Sequence, residues 1–265
     1  MILIKLFIVL TLIAGVPAFA DKRPTILATS YLVQDLDTGE IIAEQNSKEI
    51  RSIASITKLM SALVVLESAD DLNEMLKVNP IKGIASRLGK TTMSRSDLLI
   101  LSLMSSDNLA AKTLAINHPG GEVAHVADMN RLATRLGMFW SQFVDPTGLY
   151  NQNVSTGEDL VKLLNEAEQH PFIKNASTTT AKRIHVSSKK KTRYLDFRTT
   201  NRLILSIPHV AVSKTGWIKN AGGCLVMSIH DQGRRLAVIL LNSKNTHTRM
   251  RDGELLYGLH HGKNI

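Results

Sequence analysis

Apolar residues recur every three or four positions along residues 53–66, which is the spacing of an α-helix. Because nearly every turn of this segment carries an apolar residue, it predicts a largely buried helix. Residues 96–104 and 108–116 predict two further helices from the same kind of pattern. The polar residues 105–107 lie between them, so we expect a break there.

Three more helices are indicated farther along the chain. Residues 121–136 predict one helix, which Gly137 ends in the usual stop position. Thr156 and Asp159 resemble a capping box, which predicts a helix that begins there and ends near residue 170. Residues 246–259 predict the last helix.

Segments with strand character lie at both ends of the chain. Residues 30–34 and 40–44 predict a hairpin with its turn at 37–39. Three apolar segments near the end predict further strands, at 210–214, 224–229 and 235–241. Since helices separate the two groups, we predict a single-domain α+β fold in which the hairpin and the last three strands share one sheet.

Residues 182–200 are basic and strand-like, and Lys189, Lys190 and Lys191 lie at the expected tip of a hairpin. Two interpretations of the lysines remain open. They form either a solvated turn or a binding patch for an anionic polymer.

The composition of the chain indicates which kinds of molecule it can bind. The chain has 265 residues, of which 44% are hydrophobic, enough for a sizeable buried core. The formal net charge of +9 indicates an acidic partner, namely a nucleic acid, an anionic membrane or a cell-wall polymer.

The first twenty residues narrow these choices. Lys5 precedes an apolar segment at 6–16, and Ala18-Phe19-Ala20 has the small-x-small form of a cleavage site. We predict a signal peptide over residues 1–20, cleavage after Ala20 and a mature domain over 21–265; the alternative is an uncleaved anchor. An exported chain does not meet cytosolic nucleic acid, so we expect an envelope polymer as partner and no nucleic acid.

Cysteine and histidine usage limits the possible chemistry. Cys224 is the single cysteine, which excludes an intramolecular disulfide, and its apolar neighbours predict a place in the core. The histidines form no His-Glu-x-x-His or His-x-His pattern, which argues against a zinc peptidase, and we expect no metal in the site. His118, His125, His185 and His230 are expected at surface or structural positions.

Three short motifs occur in order: Ser-Ile-Thr-Lys at 55–58, Ser-Asp-Asn at 106–108 and Lys-Thr-Gly at 214–216. Ser55 and Lys58, three residues apart at the start of the first helix, lie on one helical face. A serine hydroxyl needs a base to become a nucleophile, and a lysine whose pKa is lowered by burial and nearby cations can be that base. The helix start also offers backbone N–H groups to an oxyanion.

The other two motifs supply groups suited to binding substrate. Ser106 and Asn108 lie in the break between helices, where a hydroxyl can relay a proton and an amide can orient the substrate. On a strand, Lys214 can tune the charge of the site, Thr215 can bind a carboxylate, and Gly216 allows a close approach to the backbone. Each motif alone is weak evidence for a function, whereas the three motifs in this order are strong evidence for one kind of active site.

The ordered set resembles that of class A β-lactamases and penicillin-binding proteins. Similarity to low-molecular-mass D-alanyl-D-alanine peptidases extends over 30–60, 104–111, 145–160 and 200–227. Ser-Ser-Asp-Asn at 105–108 and Asp-Pro-Thr-Gly-Leu at 145–149 are most similar to the endopeptidase branch, the penicillin-binding protein 7 group. The resemblance implies a β-lactamase/DD-peptidase-like fold with an antiparallel sheet flanked by helices.

The resemblance also implies the activity and the roles of the motif residues. It implies a periplasmic enzyme that hydrolyses peptidoglycan peptides at D-Ala–diaminopimelate cross-links through an acyl-enzyme. The implied enzyme needs no cofactor and is inhibited covalently by β-lactam antibiotics. The implied roles are nucleophile for Ser55, base for Lys58, cleft lining for Ser106 and Asn108, the opposite wall for Lys214, Thr215 and Gly216, and an oxyanion hole from the backbone N–H groups of Ser55 and Trp217.

Three alternatives remain open. A D-alanyl-D-alanine carboxypeptidase uses the same residues. A class A β-lactamase needs a glutamate for deacylation, but residues 109–213 contain no Glu-x-x-Leu-Asn, and Glu158 and Glu166 lie in a different sequence context. A non-catalytic peptidoglycan-binding protein would not need the motif side chains.

Some features depart from the resemblance or lie outside it. Many carboxypeptidases of this class end in a β-rich domain and an anchoring helix, whereas we expect no membrane anchor after residue 241. Trp217 directly follows the motif glycine and is expected to reshape the cleft rim. Arg249 and Arg251 are candidates for binding a substrate carboxylate, although a solvated helix start is the favoured interpretation.

Overall fold

The computed structural model describes residues 25–69, 71–187 and 192–261. The predicted signal peptide over 1–20 and the three lysines at 189–191 lie outside these residues. Within the described ranges, no helix combines the length and the apolar character needed to cross a membrane.

A five-stranded antiparallel sheet brings the two ends of the chain together. Strands β1 (Ser30–Asp35) and β2 (Ile41–Gln45) form the predicted hairpin. Strands β9 (Val210–Ile218), β10 (Gly222–Asp231) and β11 (Arg234–Ser243) follow one another near the end. The strand order is β2-β1-β11-β10-β9, which confirms the predicted shared sheet.

The central strands are buried on both faces of this sheet. Cys224, Val226 and Ile239 belong to the core under the helices of the middle of the chain. Leu225 and Leu240, which point the other way because strand residues alternate, belong to a second core under the last helix. Burial on both sides explains why β10 and β11 are continuous apolar segments rather than alternating ones.

The helices predicted from apolar spacing are present, with shifts of one or a few residues at their ends. Thr156 caps its helix by accepting a hydrogen bond from Asp159 N, as the capping-box pattern predicts. These helices are α1 (Thr57–Ser68), α2 (Arg95–Met104), α3 (Asn108–Ile116), α4 (Gly121–Arg135), α5 (Gly157–Gln169) and α7 (Thr246–Leu259). Helix α5 packs on one face of the sheet, and α7 packs on the other.

Several short elements have no counterpart in the sequence-based prediction. Helix α6 (Pro171–Thr178) begins at a proline, which suits a first helical position because its N–H is not needed there. Two small antiparallel pairs join β4 (Met75–Val78) to β5 (Thr91–Ser94) and β3 (Arg51–Ser52) to β6 (Val154–Ser155). Strands of two to four residues are too short to show a period.

The basic segment forms a separate hairpin of β7 (Ala181–Ser187) and β8 (Thr192–Arg198). Arg193 in β8 donates hydrogen bonds to the carbonyls of Arg87 and Leu88. The hairpin is therefore attached to the loop before β5, and it does not join the five-stranded sheet.

Candidate active site

Ser55 lies in a 3₁₀ turn, Ala54–Ile56, that leads directly into α1. This corrects the prediction that Ser55 opens the α-helix itself. Ala54 has a positive φ of 47°, and Thr57 Oγ1 donates a 2.7 Å hydrogen bond to its carbonyl. A left-handed backbone costs a non-glycine residue about 1–2 kcal/mol, so the surrounding structure must hold this turn in place.

Lys58 connects three parts of the site through one nitrogen. Its Nζ lies 2.8 Å from Ser55 Oγ, 2.7 Å from Asn108 Oδ1 and 2.6 Å from the Thr147 carbonyl oxygen. The side chain is completely buried. The fold thus joins the first two sequence motifs in one hydrogen-bond network.

Burial makes the Lys58 amine hold its proton less tightly than a surface lysine does. The loss of water around the amine lowers the pKa of Lys58 from 10.5 to about 7, although the carboxylates of Asp145 and Asp107 act in the opposite direction. Near neutral pH a large fraction of Lys58 is therefore unprotonated. A neutral amine 2.8 Å from the Ser55 hydroxyl can accept its proton.

The loop at 145–149 supports this lysine from the other side. The buried Asp145 carboxylate accepts hydrogen bonds from the Thr147 hydroxyl and backbone N–H, from Gly148 N and from Asn153 Nδ2. Gly148 has a φ of +79°, and a Cβ on it would lie 1.9 Å from the Ala54 carbonyl. In the sequence, Asp-Pro-Thr-Gly-Leu at 145–149 resembles the endopeptidase branch, but no pattern there indicates a role in holding Lys58.

Ser106 and Asn108 flank the start of α3, in the break that the polar pattern predicts. Ser106 has a φ of 58°, unusual for a residue with a side chain, and Asp107 caps the helix by accepting from Ala110 N. This local geometry lets Asn108 contact Lys58 while Ser106 accepts a 2.9 Å hydrogen bond from Lys214 Nζ.

Lys214 lies on β9 and is as deeply buried as Lys58. Its Nζ also donates to the Thr215 carbonyl at 2.7 Å. Burial, the positive charge of Lys58 and that of Arg249 together hold the pKa of Lys214 well below its usual value. The two lysines thus lie close enough to disfavour simultaneous protonation.

Gly216 brings β9 directly against the Ser55 turn. A Cβ atom at this position would lie 2.9 Å from Ser55 N and 3.0 Å from the Ile53 carbonyl. Next to it, the Thr215 hydroxyl donates a 2.6 Å hydrogen bond to Thr200 Oγ1, and Trp217 is 55% exposed. All three lie on the wall opposite Ser106, as expected for a cleft between the helices and β9.

Arg249 corrects the sequence-based preference for a solvated helix start. It is buried, and its Nη1 donates a 2.9 Å hydrogen bond to the Gly216 carbonyl. Arg251, the other candidate, instead contacts the Thr25 carbonyl and the Asp252 carboxylate. Sequence alone cannot separate them, because both lie in the first two turns of α7.

Six of the predicted residues, Ser55, Ser106, Asn108, Thr215, Gly216 and Trp217, line one cleft of about 840 Å³, whereas Lys58 and Lys214 are buried beneath its surface. Five of its lining residues belong to the three motifs, and Trp217 directly follows the last motif. The larger part comes from the segment after β8 and the start of α7, namely Thr199, Thr200, Arg202, Thr246, His247, Arg249 and Met250.

The other residues considered in the sequence lie outside this cleft. Cys224 is fully buried beside Gly216 in the sheet, which confirms the predicted core position, and burial raises the pKa of its thiol to about 11. His118 and His125 are buried and bonded to Asp128 and Ser61. Among the remaining pair, His185 is exposed and His230 contacts Glu168. All four are therefore structural or surface residues.

Comparison with known proteins places this cleft in a family. Residues 17–245 match the model of the peptidase S11 family, described as D-alanyl-D-alanine carboxypeptidase. A D-alanyl-D-alanine endopeptidase of Escherichia coli is 39% identical over 90% of this chain and 79% of its own length. A D-alanyl-D-alanine endopeptidase of Pseudomonas aeruginosa is 37% identical over 96% of this chain and 86% of its own length.

A solved structure shows the same architecture. Penicillin-binding protein D2 of Listeria monocytogenes, in its ampicillin-bound form, superposes with a TM-score of 0.78 at 29% identity, covering 89% of this chain and 98% of that one. This likeness confirms the predicted single-domain fold, an antiparallel sheet flanked by helices.

Proposed function

Because the chain belongs to the D-alanyl-D-alanine carboxypeptidase family of serine peptidases, and is therefore a serine hydrolase of D-alanyl peptide bonds, we propose that it acts as an endopeptidase on peptidoglycan cross-links. The endopeptidase assignment follows the relatives that are 37–39% identical. The observation that carries the proposed mechanism is the 2.8 Å contact between the fully buried Lys58 Nζ and Ser55 Oγ at the floor of the cleft.

In this mechanism Ser55 is the nucleophile and neutral Lys58 is the base. Lys58 takes the hydroxyl proton while Ser55 Oγ forms a bond to the carbonyl carbon of D-alanine. Its pKa of about 7 places the amine in its neutral form without making the protonated form unstable. The contacts to Asn108 and Thr147 hold the nitrogen in place, so that little reorganisation is needed.

The tetrahedral oxyanion is assigned to the backbone N–H groups of Ser55 and Trp217. Support comes from Gly216, which places β9 so close to the Ser55 turn that the two backbones face each other. The leaving amine receives a proton through Lys58 or through the Ser106–Lys214 pair. Water then attacks the acyl-enzyme, releases the D-alanyl carboxylate and restores Ser55.

The cationic end of the cleft suits a substrate with a carboxylate beside the scissile bond. Thr215, Arg202 and Arg249 line the wall next to Gly216. In a D-Ala–diaminopimelate cross-link, the amine that leaves carries such a carboxylate on the same carbon. We assign Thr215 and Arg249 to that group, because buried charge-assisted hydrogen bonds are strong.

β-Lactam antibiotics are proposed as covalent inhibitors that acylate Ser55 and leave slowly. A β-lactamase would need a base near the acyl group, and Glu158 and Glu166 do not line the cleft. Glu158 instead faces Lys48, and Glu166 faces His170. The ampicillin-bound form of the Listeria protein is in line with such inhibition.

We place the enzyme in the periplasm, where its cell-wall substrate lies, with residues 1–20 as a cleaved signal peptide. The second candidate activity is removal of terminal D-alanine, which the description of the matching family favours.

The decisive experiment is a digest of purified cross-linked muropeptide dimers by the chain from residue 21, followed by mass spectrometry. Conversion of dimers to monomers by the wild type, but not by Ser55→Ala, is the expected result. Ser96→Ala, a serine outside the cleft, serves as the matched control and should remain active. Intact dimers that lose only a terminal alanine would show that the enzyme is a carboxypeptidase and not an endopeptidase. In a separate experiment with labelled penicillin, labelling of Ser55→Ala would show that Ser55 is not the nucleophile.

A further inference from the structure

The end of α7 and the turn between β10 and β11 bring three metal-binding side chains together. Asp231 Oδ2 lies 3.1 Å from His260 Nε2 and 3.0 Å from His261 Nε2. One ligand atom from each residue lies within 4.8 Å of the others. Because Asp231 is distant from the histidines in sequence, no local motif indicates the cluster.

We propose that Asp231, His260 and His261 bind one divalent transition-metal ion, of which Zn²⁺ fits best. Two imidazoles and one carboxylate, with water in the remaining position, form a common zinc ligand set. With metal–ligand bonds of about 2.0–2.2 Å, tetrahedral ligand atoms lie about 3.4 Å apart. Relative to Asp231, the histidine nitrogens therefore need to move by only a few tenths of an ångström. The two nitrogens, which lie within 4.8 Å of each other, need to approach by at most about 1.4 Å.

The contacts around Asp231 also favour a cation at this point. Tyr257 donates a 2.6 Å hydrogen bond to the same oxygen, Oδ2, that both histidines approach. One carboxylate oxygen has two lone-pair sites, so three partners compete for them. A bound ion removes the conflict, because the histidines then turn their lone pairs to the metal while Tyr257 stays on Asp231 as an outer partner.

The surroundings give the ion a closed side and an open side. The His260 side chain is 1% exposed and that of His261 is 27% exposed, which leaves an entry path and room for water. His260 meets Asp231 through Nε2, and its Nδ1 has no hydrogen-bond partner in the described part of the chain. The amide of Gln232 lies 3.4 Å from His261 Nδ1, and with its oxygen turned inward it would accept the Nδ1 proton.

The position of the cluster indicates a structural role. Cys224 pairs with Gly216 beside Ser55, and Asp231 lies seven residues farther along β10, about 23 Å away. An ion there would not reach the reacting atoms. It would fasten the last turn of α7 to the sheet, while the first turn of the same helix supplies Arg249 to the cleft.

The test is calorimetric titration of ZnCl₂ into the untagged chain from residue 21, after removal of metal by chelation. We expect one equivalent to bind with a Kd in the micromolar range or below. We also expect the thermal midpoint to rise by roughly 5–10 °C when Zn²⁺ exceeds its Kd about 100-fold. His261→Ala and Asp231→Asn should weaken binding at least about 10-fold.

His185→Ala is the matched control, because this exposed histidine lies on β7, outside the cluster. Its affinity for Zn²⁺ should equal that of the wild type. His261 is preferred over His260 as the main test because its partly exposed side chain can be removed without opening the core; circular dichroism checks the fold. A Kd weaker than about 1 mM, or equal binding by the wild type and His261→Ala, would overturn the site. Penicillin acylation by the chelated wild type tests the active site separately.

Discussion

A Cβ atom added to Gly216 would lie 2.9 Å from the backbone nitrogen of Ser55, closer than side-chain carbons approach backbone atoms. The third motif therefore touches the first motif through backbone rather than through side chains. The nearest atoms are two backbone atoms and the Cβ of Ala54, none of which can turn aside as the end of a flexible side chain would. The distance between strand β9 and the nucleophile turn is fixed by the absence of this one carbon.

Gly216→Ala is predicted to slow acylation far more than it lowers stability. The methyl group must push β9 away from the Ser55 turn, and displacement of about 1 Å in a catalytic arrangement can cost about 100-fold in rate. The measurement is the second-order rate constant for acylation by a fluorescent penicillin, beside the thermal midpoint. Acylation at the wild-type rate would show that this close approach is not needed.

The acylation rate should rise with pH through an apparent pKa near 7. Lys58 acts as a base only when unprotonated, and burial lowers its pKa from 10.5 to about 7. The rate is therefore low below this pH and approaches a plateau above it. A pH–rate profile for acylation measures this, and a limb that continues to rise up to pH 10 would contradict a neutral Lys58.

Asp145→Asn is predicted to move that acidic limb to lower pH. The Asp145 carboxylate favours the protonated form of Lys58, so its removal lowers the pKa of Lys58 further. The same change places an amide against buried N–H donors and should destabilise the fold by about 2 kcal/mol or more.

Chemical denaturation and the pH–rate profile together check both effects of Asp145→Asn. Asp37→Asn, at an exposed position in the β1–β2 turn, is the control: it should leave the pH–rate profile unchanged and, because it weakens only an exposed ion pair with Arg235, should lower stability by less than about 1 kcal/mol. A limb that moves to higher pH would show that Asp145 does not act on Lys58 electrostatically.

Arg249→Gln is predicted to lower kcat/KM about 100-fold for peptides with a free carboxylate beside the scissile bond. The loss should be much smaller when that carboxylate is amidated, because the charge-assisted hydrogen bond is then absent from the start. Arg251→Gln is the matched control, since Arg251 contacts Thr25 and Asp252 rather than the cleft. Equal losses on both substrates would mean that Arg249 serves only to hold Gly216.

The sequence by itself determined the elements with a clear period and the chemistry of the motifs. Helix α1 could be predicted because its apolar residues recur every three or four positions, and β10 and β11 because each is a short, continuous apolar segment. The ordered motifs indicated Ser55 and Lys58 as partners, since residues three apart near a helix start share a face. Local physical rules act over a few residues, and these features depend on nothing farther away.

Only the tertiary structure decided which distant groups complete the site. Arg249 reaches Gly216 from the last helix, and the Thr147 carbonyl reaches Lys58 from a loop 89 residues away in sequence. The low pKa of Lys58 likewise depends on burial by the whole fold. Such contacts leave no period in the sequence, because they arise from packing between elements whose order along the chain does not reveal their distance in space.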